Sequence, residues 1–155
     1  MDYKVEISRL SNKFYQDYPL SVYPEILSKE ARSYVCLTIK IRDYYICIPY
    51  RSNVDHKYSY KFKYSKRSKE KKSGLDYRKI VIIKNEAYFE KSFAIVDTDE
   101  YRETMMNIKK IVSSAEKFVD VYIAHIRNIE LLDNEEFDRR YTVSALQYFH
   151  KELGL

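Results

Sequence analysis

Apolar and polar positions alternate along the first half of the chain, and this alternation predicts β-strands. Residues 35–41 follow a two-residue period, and residues 44–48 repeat it after a short polar break. Because successive side chains of a strand point to opposite faces, the two runs predict a hairpin with one buried face. Residues 79–84 form a β-branched run between two lysines, which is typical of a strand buried on both faces. Another short strand is expected at residues 92–96.

Beyond residue 97 the hydrophobic period becomes that of helices. Thr98 is the expected N-cap, with Asp99 and Glu100 in the first turn. The helix can extend to about residue 132, with a break near residues 113–114. Its apolar stripe, at spacings of three and four, consists of Tyr101, Met105, Ile108, Val112, Ala115, Val119, Tyr122 and Ile126. A last helix is predicted from residue 134.

These elements predict an α+β fold, in which a compact, strongly twisted antiparallel sheet is covered by C-terminal helices. The 155 residues contain no linker and no repeat, so we expect a single domain over residues 1–155. We find neither a signal-peptide core nor an apolar run of about 18 residues, so we expect a cytoplasmic protein without a membrane partner. Cys36 and Cys47 are interpreted as packing thiols, and no metal or other cofactor is expected.

Positive charge is concentrated in one part of the chain. The net charge is +5 overall, and counting from the sequence gives +2 for residues 1–54, +8 for residues 55–84 and −5 for residues 85–155. Within residues 57–64 aromatic residues alternate with polar residues and lysines, which predicts a strand with an aromatic side and a cationic side. Residues 66–73 are polar and highly charged, so we expect a mobile loop that orders only against an anion. Gly74 is expected to supply a positive φ before the next strand.

Three candidate catalytic residues follow the second strand of the hairpin. Arg51 can bind a phosphate through two hydrogen bonds, and Ser52 can donate one to a non-bridging oxygen. His56 can accept or donate a proton near neutral pH. Cleavage of RNA by its own 2′-hydroxyl needs these three kinds of group. Asp76 is interpreted as structural, as a cap of the turn or a partner of Arg78.

Each candidate also has a simpler interpretation. Ser52 and Asn53 after a proline are typical of a turn, and His56 is typical of a solvated side chain. The aromatic residues of positions 58–64 are more often core residues than surfaces for base stacking. A non-catalytic RNA- or DNA-binding regulatory module therefore remains the alternative function, because phosphate contacts alone give salt-dependent binding.

Four segments of the chain carry a resemblance to a known family. They are Leu10-Ser11-Asn12-Lys13-Phe14-Tyr15, Lys29-Glu30-Ala31-Arg32-Ser33-Tyr34, Ile48-Pro49-Tyr50-Arg51-Ser52-Asn53 with His56, and Gly74-Leu75-Asp76-Tyr77-Arg78-Lys79. Together they resemble the toxins of type III toxin-antitoxin systems, and most closely the TenpN branch of the ToxN/AbiQ group. The resemblance covers roughly residues 7–84, and its two most specific segments are the third and the fourth.

This resemblance implies a barrel-like sheet similar to that of the Kid/MazF toxins, and a metal-independent endoribonuclease that leaves a 2′,3′-cyclic phosphate. It implies a role in phage defence by abortive infection. It also implies inhibition by an RNA antitoxin of pseudoknot repeats, in a hetero-oligomeric assembly of protein and RNA. Ser52 matches the family directly, whereas Arg51 replaces a threonine and His56 takes the place of a lysine. The expected RNA-binding residues are Lys29, Arg32, Asn53, Lys57, Lys61, Lys63, Lys66 and Arg67.

Overall fold

The computed structural model describes residues 3–27, 34–91 and 94–155 and has an α+β architecture. The strands are β1 (Lys4–Arg9), β2 (Val35–Ile41), β3 (Tyr44–Arg51), β4 (Ser59–Lys61), β5 (Gly74–Asp76) and β6 (Val81–Ile83). The helices are α1 (Asn12–Asp17), α2 (Lys66–Lys71), α3 (Thr98–Met106), α4 (Ile108–Ile126), α5 (Asn134–Tyr141) and α6 (His150–Leu153). Among the described residues, no helix is long and apolar enough to cross a bilayer.

Strand β3 organises the sheet, because three other strands pair with it. All pairings are antiparallel, and the strand order is β1-β2-β3-β5-β4. The first half of β3 pairs with β6, whereas its last two residues pair with β5. The predicted α+β class and antiparallel sheet are therefore confirmed. The sheet is not closed, since β1 and β4 lie at opposite ends of that order, so a barrel is not confirmed.

The predicted hairpin of β2 and β3 is confirmed, but it is buried on both faces rather than on one. Leu37 pairs with Ile48 and is completely buried, as the alternation predicts. Thr38 and Cys47, which alternation would place on the polar face, pair with each other and are equally buried. Cys36 is buried too, and both cysteines are free thiols, as expected of packing residues. The hairpin therefore lies in the centre of the core.

The long helical region divides at Asn107 into α3 and α4, not near residues 113–114 as expected. In α4 the predicted apolar stripe is buried from Val112 to Tyr122. Helix α3 is capped by the side chain of Asp97 rather than by Thr98. Its predicted stripe is wrong, because Tyr101 and Met105 are 45% and 40% exposed.

The buried face of α3 is polar. Glu100, Glu103 and Thr104 are buried, and they face backbone N–H groups and hydroxyls of residues 50–73. Those donors need acceptors once they are removed from water, so the helix turns its carboxylates inward.

The end of the chain is more broken than the single predicted helix. Helix α5 begins at Asn134 as predicted, with Asp133 as its N-cap. A 3₁₀ turn at Ala145–Tyr148 and the short helix α6 follow it. Residues 94–96 form no strand, and residues 92 and 93 of the predicted strand lie outside the described residues.

Gly74 is required for a reason other than the predicted positive φ. It lies in extended backbone at the start of β5, where it pairs with both Arg51 and Lys61. A Cβ atom at this position would lie 2.5 Å from the carbonyl oxygen of Tyr60. Strands β3, β5 and β4 can therefore approach each other only because this residue lacks a side chain.

We predict that Gly74→Ala lowers the free energy of unfolding by about 1 to 3 kcal/mol, because the added methyl group must displace backbone. Urea denaturation followed by circular dichroism measures this loss. Gly154→Ala is the comparison, since its Cβ would meet no atom closer than 3.7 Å and only its φ of +74° opposes a side chain. A Gly74→Ala protein as stable as the parent would contradict the close-approach explanation.

Candidate functional site

Arg51 and His56, two of the predicted catalytic residues, meet at one buried carboxylate. Arg51 lies at the end of β3 and donates from Nη1 to Oδ2 of Asp76 over 2.9 Å. His56 Nε2 lies 3.0 Å from the other oxygen, Oδ1. The Asp76 side chain is only 1% exposed, against 28% for Arg51 and 13% for His56. Asp76 therefore holds the two candidates together.

Asp76 was interpreted from the sequence as a structural residue, and that role is confirmed in part. Its Oδ1 accepts a hydrogen bond from the backbone N–H of Arg78 over 3.0 Å and so caps the 3₁₀ turn Tyr77–Lys79. Sequence reasoning missed its contacts with Arg51 and His56. The sequence separation of 25 residues between Arg51 and Asp76 hides the contact, since only the antiparallel pairing of β3 with β5, which places Arg51 opposite Gly74, brings the two residues close.

The imidazole of His56 is engaged on both edges. Nδ1 accepts a hydrogen bond from the backbone N–H of Tyr58 over 3.1 Å, so the neutral ring carries its proton on Nε2. Nε2 is buried and lies 3.0 Å from Oδ1 of Asp76. Burial lowers the pKa of His56 below its ordinary value, and the charge of Asp76 opposes this shift. The ring is thus fixed in orientation, and its burial disfavours the protonated form.

Ser52 and Asn53 lie at the turn after β3. Ser52 is half-exposed, and none of the described residues is hydrogen-bonded to its hydroxyl. Asn53 is exposed and has a φ of +60°, a left-handed conformation that asparagine tolerates. Its backbone N–H donates to the carbonyl of Lys71 over 2.6 Å. The chain therefore bends after β3 through the left-handed backbone of Asn53, and the Ser52 side chain lies at the partly exposed surface.

The alternation of residues 57–64 is confirmed in part. Tyr60 and Phe62 are buried, and Lys61 and Lys63 are exposed beside them. The strand is shorter than predicted, because β4 ends at Lys61. Tyr64 is 70% exposed and so departs from the core role expected of the aromatic row.

The segment expected to be a mobile loop contains helix α2. Ser65 caps it by accepting from the N–H of Ser68 over 2.9 Å, and the Ser65 hydroxyl donates to Oε2 of Glu100 over 2.8 Å. Ser73, after the helix, donates to the same oxygen over 2.7 Å. The prediction of a loop was wrong because it considered charge alone, whereas the serines bind a buried acceptor at both ends of the helix.

Two of the predicted RNA-binding residues belong to α2, and they differ. Lys66 is exposed, whereas Arg67 is half-buried with Nε 3.8 Å from Oε2 of Glu100. The guanidinium group of Arg67 therefore faces the buried Glu100. Lys29 and Arg32 lie outside the described residues.

Glu103 holds the segment before α2. Its carboxylate accepts hydrogen bonds from the Tyr60 hydroxyl over 2.8 Å and from the backbone N–H of Lys63 over 2.9 Å. The N–H of Tyr64 adds a third donor at 3.3 Å. Because the acceptor lies under the backbone, the side chains of Lys61 and Lys63 are left on the outer side.

A cavity of about 740 Å³ opens beside His56. Arg78 and Arg139 supply cations to its wall, and Lys57 lies at its boundary with a second cavity. Sequence reasoning missed Arg139, because it treated the acidic C-terminal part as scaffold. Arg139 and Arg140 bind Glu136 and lower its pKa to about 2, so this carboxylate is ionised at any ordinary pH.

Comparison with known proteins finds no matching family model, no matching curated protein and no matching solved structure.

We predict that the His56 ring titrates below its ordinary pKa of about 6.5 and is the Nε2–H tautomer when neutral. Long-range ¹H–¹⁵N NMR of the histidine rings measures both properties. Asp76→Asn should lower the pKa further, because the carboxylate charge that favours the imidazolium is lost. A His56 pKa above 6.5, or a neutral ring protonated on Nδ1, would contradict the described contacts.

The same shift predicts a pH dependence of stability. Since the folded state binds a proton on His56 less readily than the unfolded chain does, the free energy of unfolding should fall as the pH drops through and below about 6.5. Urea denaturation between pH 7.5 and 5.5 tests this sign. His56→Gln should make the dependence shallower, and an unchanged slope in that variant would assign the effect to other groups.

Proposed function

We propose that the protein is a metal-independent endoribonuclease, a cytoplasmic toxin of a type III toxin-antitoxin system. The observation that carries the proposal is the meeting of Arg51 and His56 at Asp76, beside a cavity whose wall contains Arg78 and Arg139. The resemblance of four segments to the ToxN/AbiQ group supports the same activity. The finer expectations of a Kid/MazF-like barrel and of an inhibitory pseudoknot RNA belong to this proposal.

The proposed reaction is an internal transesterification. The ribose 2′-oxygen attacks phosphorus and loses its proton to a base, the bond from phosphorus to the 5′-oxygen breaks, and that oxygen receives a proton from an acid. A 2′,3′-cyclic phosphate and a 5′-hydroxyl result. Arg51 stabilises the charge on the phosphorane, and Ser52 donates a hydrogen bond to a non-bridging oxygen.

His56 is assigned to proton transfer, and its surroundings specify what must change for it to act. In the described state Nδ1 is engaged by the N–H of Tyr58, and Nε2 is buried beside Asp76. Substrate binding must therefore displace one of these contacts before the ring exchanges a proton with RNA. Lys57, which lines the same cavity, is one alternative proton-transfer group, and Lys29 and Arg32 are the others.

The engagement of both ring nitrogens also favours the second candidate, a non-catalytic RNA- or DNA-binding regulatory module. In that case Asp76 is a structural clamp for Arg51 and His56, and the cationic side chains bind phosphates without reaction.

We predict that the purified protein in EDTA cuts cellular RNA into discrete fragments ending in a cyclic phosphate. His56→Ala should lower the cleavage rate by about 10²- to 10⁴-fold, and Ser52→Ala by about 10²- to 10³-fold. Gel analysis and mass spectrometry of the 3′ ends measure rate and product. Ser113→Ala, at an exposed serine of α4, is the matched control and should cut at the parent rate.

Binding separates the two candidates. An RNA carrying 2′-O-methyl groups cannot react, so its affinity reports binding alone, and both variants should retain it within about threefold if they act in catalysis. Intact RNA together with retained binding would reject the endoribonuclease and leave the regulatory module. Short tandem repeats ending in a terminator, directly upstream of the coding sequence, are expected only for the toxin.

A further inference from the structure

A second cavity, of about 560 Å³, lies between the segment around β4 and the helices α4 and α5. It adjoins the cavity beside His56, since Lys57 and Tyr58 line both. Cationic side chains surround it, and none of its described lining residues is acidic. The cations are Lys57, Lys61, Lys63, Lys110, Lys117 and Arg140.

Two separate parts of the chain bring these charges together. Lys57, Lys61 and Lys63 belong to the basic segment, residues 55–84, which carries a net charge of +8. Lys110 and Lys117 come from one face of α4, at a spacing of seven residues. Lys109 is equally exposed but does not line the cavity. Like charges placed around one concave surface raise its potential and favour the binding of an anion there.

The floor of the cavity is aromatic. Tyr58, Tyr60, Tyr77 and Phe118 contribute to its lining. The Tyr60 hydroxyl is bound by Glu103, so this polar end is already satisfied. The aromatic surface left for a ligand is chiefly that of the partly buried Tyr58, because Tyr60, Tyr77 and Phe118 are 9%, 6% and 5% exposed. Lys57 Nζ and Arg140 Cζ lie 5.4 and 5.5 Å from the centre of the Tyr58 ring, which keeps both cations over this floor.

We infer that this cavity binds one unstacked nucleotide of a single-stranded RNA, with the base against the aromatic floor and the flanking phosphates between the lysines of the two walls. A phosphate alone would not use the rings, and an apolar ligand would not use six cations. The volume lies within the range of about 300 to 1,000 Å³ that is common for small-molecule sites. The inference rests on the proposed function for its choice of RNA, and it adds a specificity site next to the proposed cleavage site.

The first test measures the electrostatic part of binding. Anisotropy of a fluorescent 2′-O-methyl RNA octanucleotide is recorded at several salt concentrations. The logarithm of the association constant falls linearly with the logarithm of the salt concentration. Lys110→Ala and Lys117→Ala should each make this slope shallower by about 0.7, because each removes one phosphate contact. Lys109→Ala is the matched control and should leave affinity and slope unchanged. Equal effects at all three positions, or none, would overturn the inference.

The second test measures how much a single base contributes to the binding affinity. Octanucleotides of 2′-O-methyl RNA with a single abasic position, moved along the strand, should lose about 5- to 150-fold in affinity at one position and little elsewhere. Ser114→Trp, which fills the cavity, should abolish that penalty, whereas Ser113→Trp on the exposed neighbouring position should retain it. Circular dichroism is used to check that both variants fold. A uniform loss along the strand would overturn the inference.

A free mononucleotide distinguishes a strand from a small ligand. Uridine or adenosine monophosphate should bind at least 100-fold more weakly than the octanucleotide, because the mononucleotide lacks the flanking phosphates. Equal affinity would assign the cavity to a free nucleotide and contradict the proposal. Since all of these RNAs are unreactive, absence of cleavage would reject the proposed endoribonuclease without changing the outcome for this cavity.

Discussion

Three buried carboxylates hold the most cationic part of the chain in a fixed conformation. Asp76 binds Arg51 and contacts His56, Glu103 accepts three hydrogen bonds from residues 60–64, and Glu100 accepts the hydroxyls of Ser65 and Ser73. Burying a carboxylate is costly unless it is hydrogen-bonded. Here each one is bound by donors of residues 51–78, so folding of this segment and burial of the acids depend on each other.

The arrangement explains how a segment of high positive charge can be ordered while its lysines still face solvent. The carboxylates bind backbone N–H groups, hydroxyls and two arginines, Arg51 and Arg67. They leave Lys61, Lys63 and Lys66 exposed. Across the second cavity from Lys61 and Lys63 lie Lys110 and Lys117 of α4 and Arg140 of α5. A site that is ordered before its ligand arrives loses less conformational entropy on binding than a loop that must fold around RNA.

Much of the architecture can be predicted from local pattern. The hydrophobic period identifies β2 and β3 as strands and α4 as a helix. Two of the failures, at α2 and at α3, have a common cause in long-range polar contacts. Charge predicted a loop at residues 66–73, but the serines at both ends of α2 bind Glu100. Apolar spacing predicted the wrong face of α3, because its partner surface offers hydrogen-bond donors rather than apolar groups. At the site, Arg51 and His56 were predicted from their residue types, whereas Asp76, Arg139 and Lys117 become visible only when the fold brings distant segments together.

Hydrogen exchange of the protein without RNA tests most directly whether the basic segment is ordered in advance. The informative amides are those of Lys63, bound to Glu103, and of Asn53 and Val54, bound to the carbonyls of Lys71 and Lys72. We predict that all three are protected in the free protein and that Glu103→Leu removes the protection of Lys63. Exchange at the rate of an unfolded peptide, with protection only after RNA is added, would show that the ligand rather than the carboxylates orders this segment.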